Sequence, residues 1–494
     1  MMGYGESKAA HSRIVSLLIL FAACGWLQSC SASRPVVIAV THVTVLDAAG
    51  APPRPDSTVV ITGTRISAVG PSSSVLIPSR AKVFDGAGKF LIPGLADMHV
   101  HLTGAGEPAG SREFFLPLLV ANGITTVRDM GGKVEFLKAL RAEIESGERL
   151  GPQIFFTGPY LDGEPPSFQP AMIVRSATEA HQAVSQLKSQ GVDFIKVQSR
   201  LSREAYFGIA NECRTEGMRF VGHVPDTVSA AEASAAGQAS IEHLTGVLLA
   251  TSSREEELRR EQLAPGPPNE TINAARERSR RWQRHLLDSA STQKTETLLH
   301  EFLTNQTWQV PTFPLLVHMG YLTPETDLTH DPRSRFLASN LKKIWEQGRK
   351  ESLDSNGAPD FSLREEILKR SFEIVGRMNA AGAPIMAGTD AAAPNVFPGF
   401  SLHEELAYLV RAGLTPMQAL QAATSKPAEF LGKGAEVGTI ETGKRADLLL
   451  LDANPFEDIR NTEKIRSLVL NGRWLERSDL DWLLANAEHF AASH

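Results

Sequence analysis

The run Asp97-Met98-His99-Val100-His101 sets two imidazoles at i and i+2. On an extended strand alternate side chains share a face, so Asp97, His99 and His101 fall together. Met98 and Val100 then point the other way, toward covering helices. A single strand histidine is usually structural, but two in register form a pincer for a divalent metal. Further candidates close other apolar runs: His223 in FVGHV, His243 in SIEHL and Asp390 in IMAGTD. Each alone has a plain reading, a core imidazole or a helix N-cap. Together, four histidines and an aspartate suit hard-to-borderline divalent ions.

Lys196 lies inside the apolar run VDFIKVQ. A lysine facing a protein interior is costly unless it is paired or neutralised. Burial lowers its pKa and leaves a nucleophilic amine. Such an amine can add carbon dioxide and become a carbamate. The two carbamate oxygens can bridge metals about 3.5–4 Å apart, the spacing of two-metal hydrolytic sites. The competing reading is a snorkelling or ion-paired lysine. The neighbouring histidines and aspartate tilt the choice to the carbamate.

These groups need a scaffold that brings strand ends together. Eight short apolar runs read as strands: 95–102, 123–130, 153–160, 193–198, 219–224, 240–246, 307–313 and 383–390. Helical patterns fill most of the intervals, for example ATEAHQAVSQLKSQG before the fourth run. Alternating strands and crossover helices predict an α/β fold, a (β/α)8 TIM barrel over 93–432. Barrel chemistry gathers at the C-terminal ends of the strands, where His223, His243 and Asp390 fall. Residues 35–92 and 433–477 alternate Val and Ile with polar residues between Gly and Pro turns. They predict a small β-sandwich made from both ends of the chain, with the barrel inserted between. Residues 251–300 are a charged insertion in the sixth connection, read as solvated helix rather than a lid.

Composition bounds the function. The 494 residues carry a net charge of -6, and no basic patch suggests a nucleic-acid partner. Hydrophobic residues at 42% leave ample core and exclude a disordered chain. The N-terminus reads as an export signal, with Lys8 and Arg13 before the apolar run Ile14 to Phe21. Leu27-Gln28-Ser29-Cys30 resembles the cleavage box of bacterial lipoproteins, with Cys24 as a weaker rival and a plain signal peptide over 1–30 as the alternative. The expectation is an exported protein, periplasmic or anchored to a membrane by lipid at Cys30. Only Cys213 then remains, which excludes a disulfide framework.

The motifs FLIPGLADMHVHL, GITTVRD, VDFIKVQ, GHV, SIEHL, VPTF, AGTDA and AGLTPMQALQAAT resemble the amidohydrolase superfamily. The tail GTIETGKRADLLLLDANPFEDI is similar to the family's closing strands. The best match is the imidazolonepropionase-like branch with its Xaa-Pro dipeptidases. That resemblance implies one metal on His99, His101 and Asp390, a second on His223 and His243, and carboxylated Lys196 as the bridge. Two zinc ions are the default, since imidazole and carboxylate suit zinc. It further implies that a bridging hydroxide attacks the amide of a small substrate, an Xaa-Pro dipeptide or an N-acyl amino acid, with Asp390 as general base and then acid. Mononuclear members of the superfamily lack the bridging lysine, so Lys196 argues against deamination. The alternatives are a lactonase or phosphotriesterase-like esterase on the same site, and an inactive ligand-binding surface lipoprotein. A homo-oligomer stays open.

Three features stand apart. Related dipeptidases carry Gly-Gly-His after the third strand, whereas this chain reads TGPYLDGEPPSFQP, leaving Tyr160 and Gln169 as candidate substrate contacts. His403-Glu404-Glu405 lacks the second histidine of a metalloprotease motif and reads as a helix after the last strand. Arg128 and Asp129 end the second run and read as a structural ion pair.

Overall fold

Both ends of the chain alternate apolar and polar residues, and both feed one sheet. In a computed structural model, which describes residues 35–103, 110–320, 331–356 and 361–494, the first part gives β1 (Val37–Val45), β2 (Arg54–Thr62), β3 (Arg65–Pro71), β4 (Lys82–Asp85) and β5 (Phe90–Pro93). The export segment expected over 1–30, with Cys24 and Cys30, lies outside the described residues. After Gly94 come β6 (Leu95–Val100), β7 (Ile124–Asp129) and β8 (Gln153–Phe156), hydrogen-bonded in that order as a parallel sheet. A second parallel sheet holds β9 (Tyr160–Asp162), β10 (Ala171–Ile173), β11 (Ile195–Val197), β12 (Phe220–Gly222), β13 (Ser240–Glu242) and β14 (Trp308–Val310), in the order β10-β9-β11-β12-β13-β14. The last strands, β15 (Leu448–Leu451), β16 (Ile465–Leu470) and β17 (Arg473–Glu476), return to the first sheet. There β15 pairs antiparallel with β5, so the two ends of the chain lie side by side in eight strands.

Helices alternate with the parallel strands because the sequence starts and stops them on cue. Ser176 caps Ala177–Ser189, and Ser202 caps Arg203–Glu216, each by accepting a backbone N–H three residues on. The second helix ends at Gly217, whose φ of 64° is open to glycine at little cost. The charged stretch over 251–300 is helical, as expected, with Glu255–Leu263 and Ile272–Asp288 held by Leu249, Leu258 and Leu286. Cys213 is buried and unpaired. Among the described residues no helix is long and apolar enough to cross a membrane.

Two expectations fail locally. The third run does not continue to residue 160: β8 stops at Phe156, and Tyr160 opens a separate strand paired with β10 in the other sheet. Gly158 (φ 71°) bends the chain between them. The eighth run forms only isolated parallel bridges, Ile385 with Gln309 and Ala391 with Val100. Asp390, at φ 69°, turns the backbone out of the extended region there. The segment still joins both parallel sheets, since Met386 donates its N–H to Gln309 and Asp390 donates to His99.

The core explains a third departure. Met98 belongs to a separate cluster with Phe194, Val221, Val310, Met386 and Phe430, whereas Val100 joins the large cluster. Phe194 and Val221 sit two residues before Lys196 and His223 on the same strand faces. This cluster therefore floors the site, and Met98 is part of the floor. Strict alternation breaks because the pairing of β6 with β7 shifts register between Asp97 and Val100.

Gly123 couples the layers. Its φ is 76°, and a Cβ there would lie 2.4 Å from Leu449 of β15. Gly123→Ala is expected to cost about 1–3 kcal/mol, through left-handed strain and the clash. A urea unfolding midpoint equal to the parent's would show that this packing carries no weight.

Candidate active site

The four histidines lie at or just past the carboxyl ends of parallel strands, whereas Lys196 and Asp390 do not. His99 is inside β6 and His101 just past it; His223 follows β12, and His243 follows β13. Asp390 lies in the bridging segment, and Lys196 is the middle residue of β11. Backbone geometry aims two of them: His243 and Asp390 have φ of 56° and 69°, unusual for residues with a Cβ.

The side chains converge. Nε2 of His99 and Nε2 of His101 lie 3.2 and 2.9 Å from one oxygen, Oδ1 of Asp390. Donor atoms of these three residues all fall within 4.8 Å of one another. The His243 ring centre is 4.6 Å from that of His99 and 5.0 Å from that of His223. Lys196 is 1% exposed, and its stem passes Gly222, the residue before His223.

What frees the inner nitrogens is the occupation of the outer ones. Nδ1 of His99 donates to Glu242 Oε2 at 2.7 Å. Nδ1 of His243 lies 2.6 Å from Thr312 Oγ1, and that hydroxyl already donates to the Pro311 carbonyl. Nδ1 of His223 meets Ser199 Oγ at 2.9 Å, and Nδ1 of His101 meets the Tyr160 hydroxyl at 3.4 Å. His99 Nε2 and Asp390 Oδ1 are buried with no well-aligned hydrogen-bond partner among the described residues. Orphaned inner donors with satisfied outer nitrogens fit a metal centre.

Electrostatics agree. Burial holds His243 down to about 3 and His223 well below the usual imidazole range, helped by neighbouring histidines and by Lys196. Both stay neutral, the form that ligates. Burial opposes charge on Asp390, but His99, His243 and His101 outweigh it and keep the carboxyl ionised. Burial lowers Lys196 to about 8, against the pull of Glu242 and Asp390. Gly222 makes room for that lysine, since a Cβ there would lie 2.9 Å from its Cδ and 2.3 Å from the Val197 carbonyl. His101 and Asp390 remain 18% and 13% exposed, which marks the side open to solvent.

Other candidates fall elsewhere. Tyr160 is buried against His101, and its ring occupies the space a side chain on Gly131 would need, with contacts at 2.3 Å. Gln169 is exposed and accepts from the Ala171 N–H, so it braces its own turn. His403 is in the helix Phe400–Arg411, as expected, and bonds Thr462 and the Asn122 carbonyl. Arg128 and Asp129 do not pair. Asp129 accepts from the Leu102 and Gly131 N–H groups, while Arg128 turns to Glu242, because successive strand residues face opposite sides. Glu242 itself was missed, along with Ser199 and Thr312. A buried carboxylate beside a histidine in SIEHL was the available signal.

The sequence model of the amidohydrolase family matches residues 90–475. The chain belongs to this family. An imidazolonepropionase of Shouchella clausii is 33% identical to this amidohydrolase over 88 residues, 17% of this chain and 19% of that protein. The chain thus matches about a fifth of the length of that curated relative. Across nearly the whole chain it is similar to a solved Bifidobacterium longum protein whose prolidase name is provisional, at 26% identity, covering 92% of this chain and 99% of that one, TM-score 0.65. It also resembles a solved bottromycin amidohydrolase at 22% identity, covering 93% of this chain and 91% of that one, with TM-score 0.69. At that identity the last likeness speaks for the fold alone.

The donor set predicts that chelation lowers stability and that zinc restores it. With free zinc a thousandfold above its dissociation constant, the gain is about 4 kcal/mol. Equal thermal midpoints of the chelated and zinc-loaded chain would contradict this.

Proposed function

We propose that this amidohydrolase hydrolyses the C–N bond of a small amide, an Xaa-Pro dipeptide or an N-acyl amino acid, at a centre for two divalent metals. In this reading the two parallel sheets close through residues 385–391 into a (β/α)8 barrel, and the eight-stranded sheet is its small β-sandwich. The observation that carries the proposal is the clustering of His99, His101 and Asp390 donor atoms within 4.8 Å, with the His243 ring beside those of His99 and His223 and the Nδ1 atoms engaged outside.

His99, His101 and Asp390 would hold one ion, and His223 and His243 the other. Lys196, carboxylated by carbon dioxide, would present one oxygen to each. Two zinc ions held there would supply Lewis acidity to the amide carbonyl and lower the pKa of water. Asp390 takes the proton of the attacking water and returns it to the leaving nitrogen, first as base and then as acid. Tyr160 forms a wall of the substrate cleft beside His101, with Phe168 6.3 Å from it ring to ring. The chain is proposed to be exported, either periplasmic or anchored to a membrane by lipid at Cys30.

The test is hydrolysis by the zinc-loaded chain of a panel of dipeptides, N-acyl amino acids and simple esters, read by mass spectrometry. Release of free amino acids is expected, and Asp390→Asn should lower kcat/KM on the order of 10²–10⁴-fold. Lys196→Ala should lose the second ion and most of the rate. Parental rates in both variants would refute the mechanism, and cleavage of esters alone would favour a lactonase.

A further inference from the structure

Arg128, which the reaction does not use, is 0% exposed. A buried guanidinium is tolerated only when its donors are met. Its Nε donates to the Met98 carbonyl at 2.7 Å, Nη1 to Ser240 Oγ at 3.0 Å and Nη2 to Glu242 Oε1 at 2.9 Å. The ring of Phe430 lies 5.2 Å away and that of Phe194 5.9 Å. Glu242, also 0% exposed, uses its other oxygen to accept from His99 Nδ1 at 2.7 Å. Arg128 thus grips His99 twice: through the carbonyl of the preceding residue, and through the carboxylate on its ring.

We propose that Arg128 and Glu242 are positioning residues that lock His99 in the tautomer and orientation needed to ligate metal, an inference that rests on the two-metal reading above. Only a carboxylate can accept from both donors, since each oxygen carries free lone pairs. A glutamine at 242 has one oxygen and one NH2 group. Arg128 cannot give up its protons, so it claims the oxygen and turns the NH2 toward His99. Nδ1 of His99 must then accept, and its proton moves to Nε2, the atom that faces Asp390. A protonated Nε2 offers a metal no lone pair. Neither Arg128 nor Glu242 reaches solvent, so neither meets substrate.

The experiment measures zinc affinity and stoichiometry by competition with a chelator on the full chain, alongside circular dichroism and thermal midpoints of the metal-free forms. Glu242→Gln should weaken the zinc held by His99, His101 and Asp390 roughly 10–100-fold, the usual effect of losing an outer-shell partner, with the metal-free fold retained. Arg128→Lys keeps the charge but not the fork and should weaken zinc in the same direction. Ser240→Ala removes a hydroxyl that touches both Arg128 and Glu242 Oε1 but leaves the Glu242–His99 contact in place, so it should weaken zinc less than Glu242→Gln. Two zinc ions bound with parental affinity by folded Glu242→Gln would overturn the proposal. If that variant does not fold, parental affinity in Arg128→Lys overturns it instead. A parent that binds no zinc would sink the two-metal reading itself, a different failure.

Discussion

An imidazole has two nitrogens and, when neutral, one proton, and the site depends on where that proton is pinned. Each of the four histidines has its Nδ1 engaged on the outside, by Glu242, Thr312, Ser199 or Tyr160. For His99 the carboxylate partner leaves no choice of tautomer, and Nε2 carries the free lone pair. Two of these imidazoles, His99 and His101, turn their Nε2 atoms to one carboxylate oxygen of Asp390. Desolvation reinforces the arrangement, because a dry interior penalises protonated imidazole and strengthens each remaining interaction.

The fold supplies the outer partners from separate strands. Glu242 closes β13, Arg128 lies in β7 and His99 in β6, so one contact chain crosses three strands in two sheets. The interior cluster beneath, with Met98, Phe194 and Val221, holds these groups away from water. Strand ends then diverge by deliberate breaks: His243 and Asp390 leave extended geometry, and Gly222 removes a Cβ where Lys196 passes. Strain of this kind is tolerated where the surroundings overdetermine it.

Much of this was legible in the sequence. His99, His101, His223, His243, Asp390 and Lys196 were all singled out; of these, donor atoms of His99, His101 and Asp390 come within 4.8 Å, and the His243 ring lies beside those of His99 and His223. Seven of the eight expected parallel strands appear near their expected places. The eighth was overread, since apolar character in 383–390 does not show that Asp390 leaves the extended region. Alternation misplaced Met98 because a register shift has no signature in one sequence. Arg128 was paired with its neighbour Asp129 on proximity along the chain, whereas its real partner is more than a hundred residues away. Loop contacts were the least readable: Gln169 braces its own turn, and Tyr160 begins a strand of another sheet.

The most direct measurement of the central claim is the anomalous diffraction of a zinc-loaded crystal grown in the presence of bicarbonate. The account predicts two peaks, one among His99, His101 and Asp390 and one against His223 and His243, with continuous density from Lys196 reaching between them. A single peak, or an unmodified Lys196 turned away from the histidines, would contradict it.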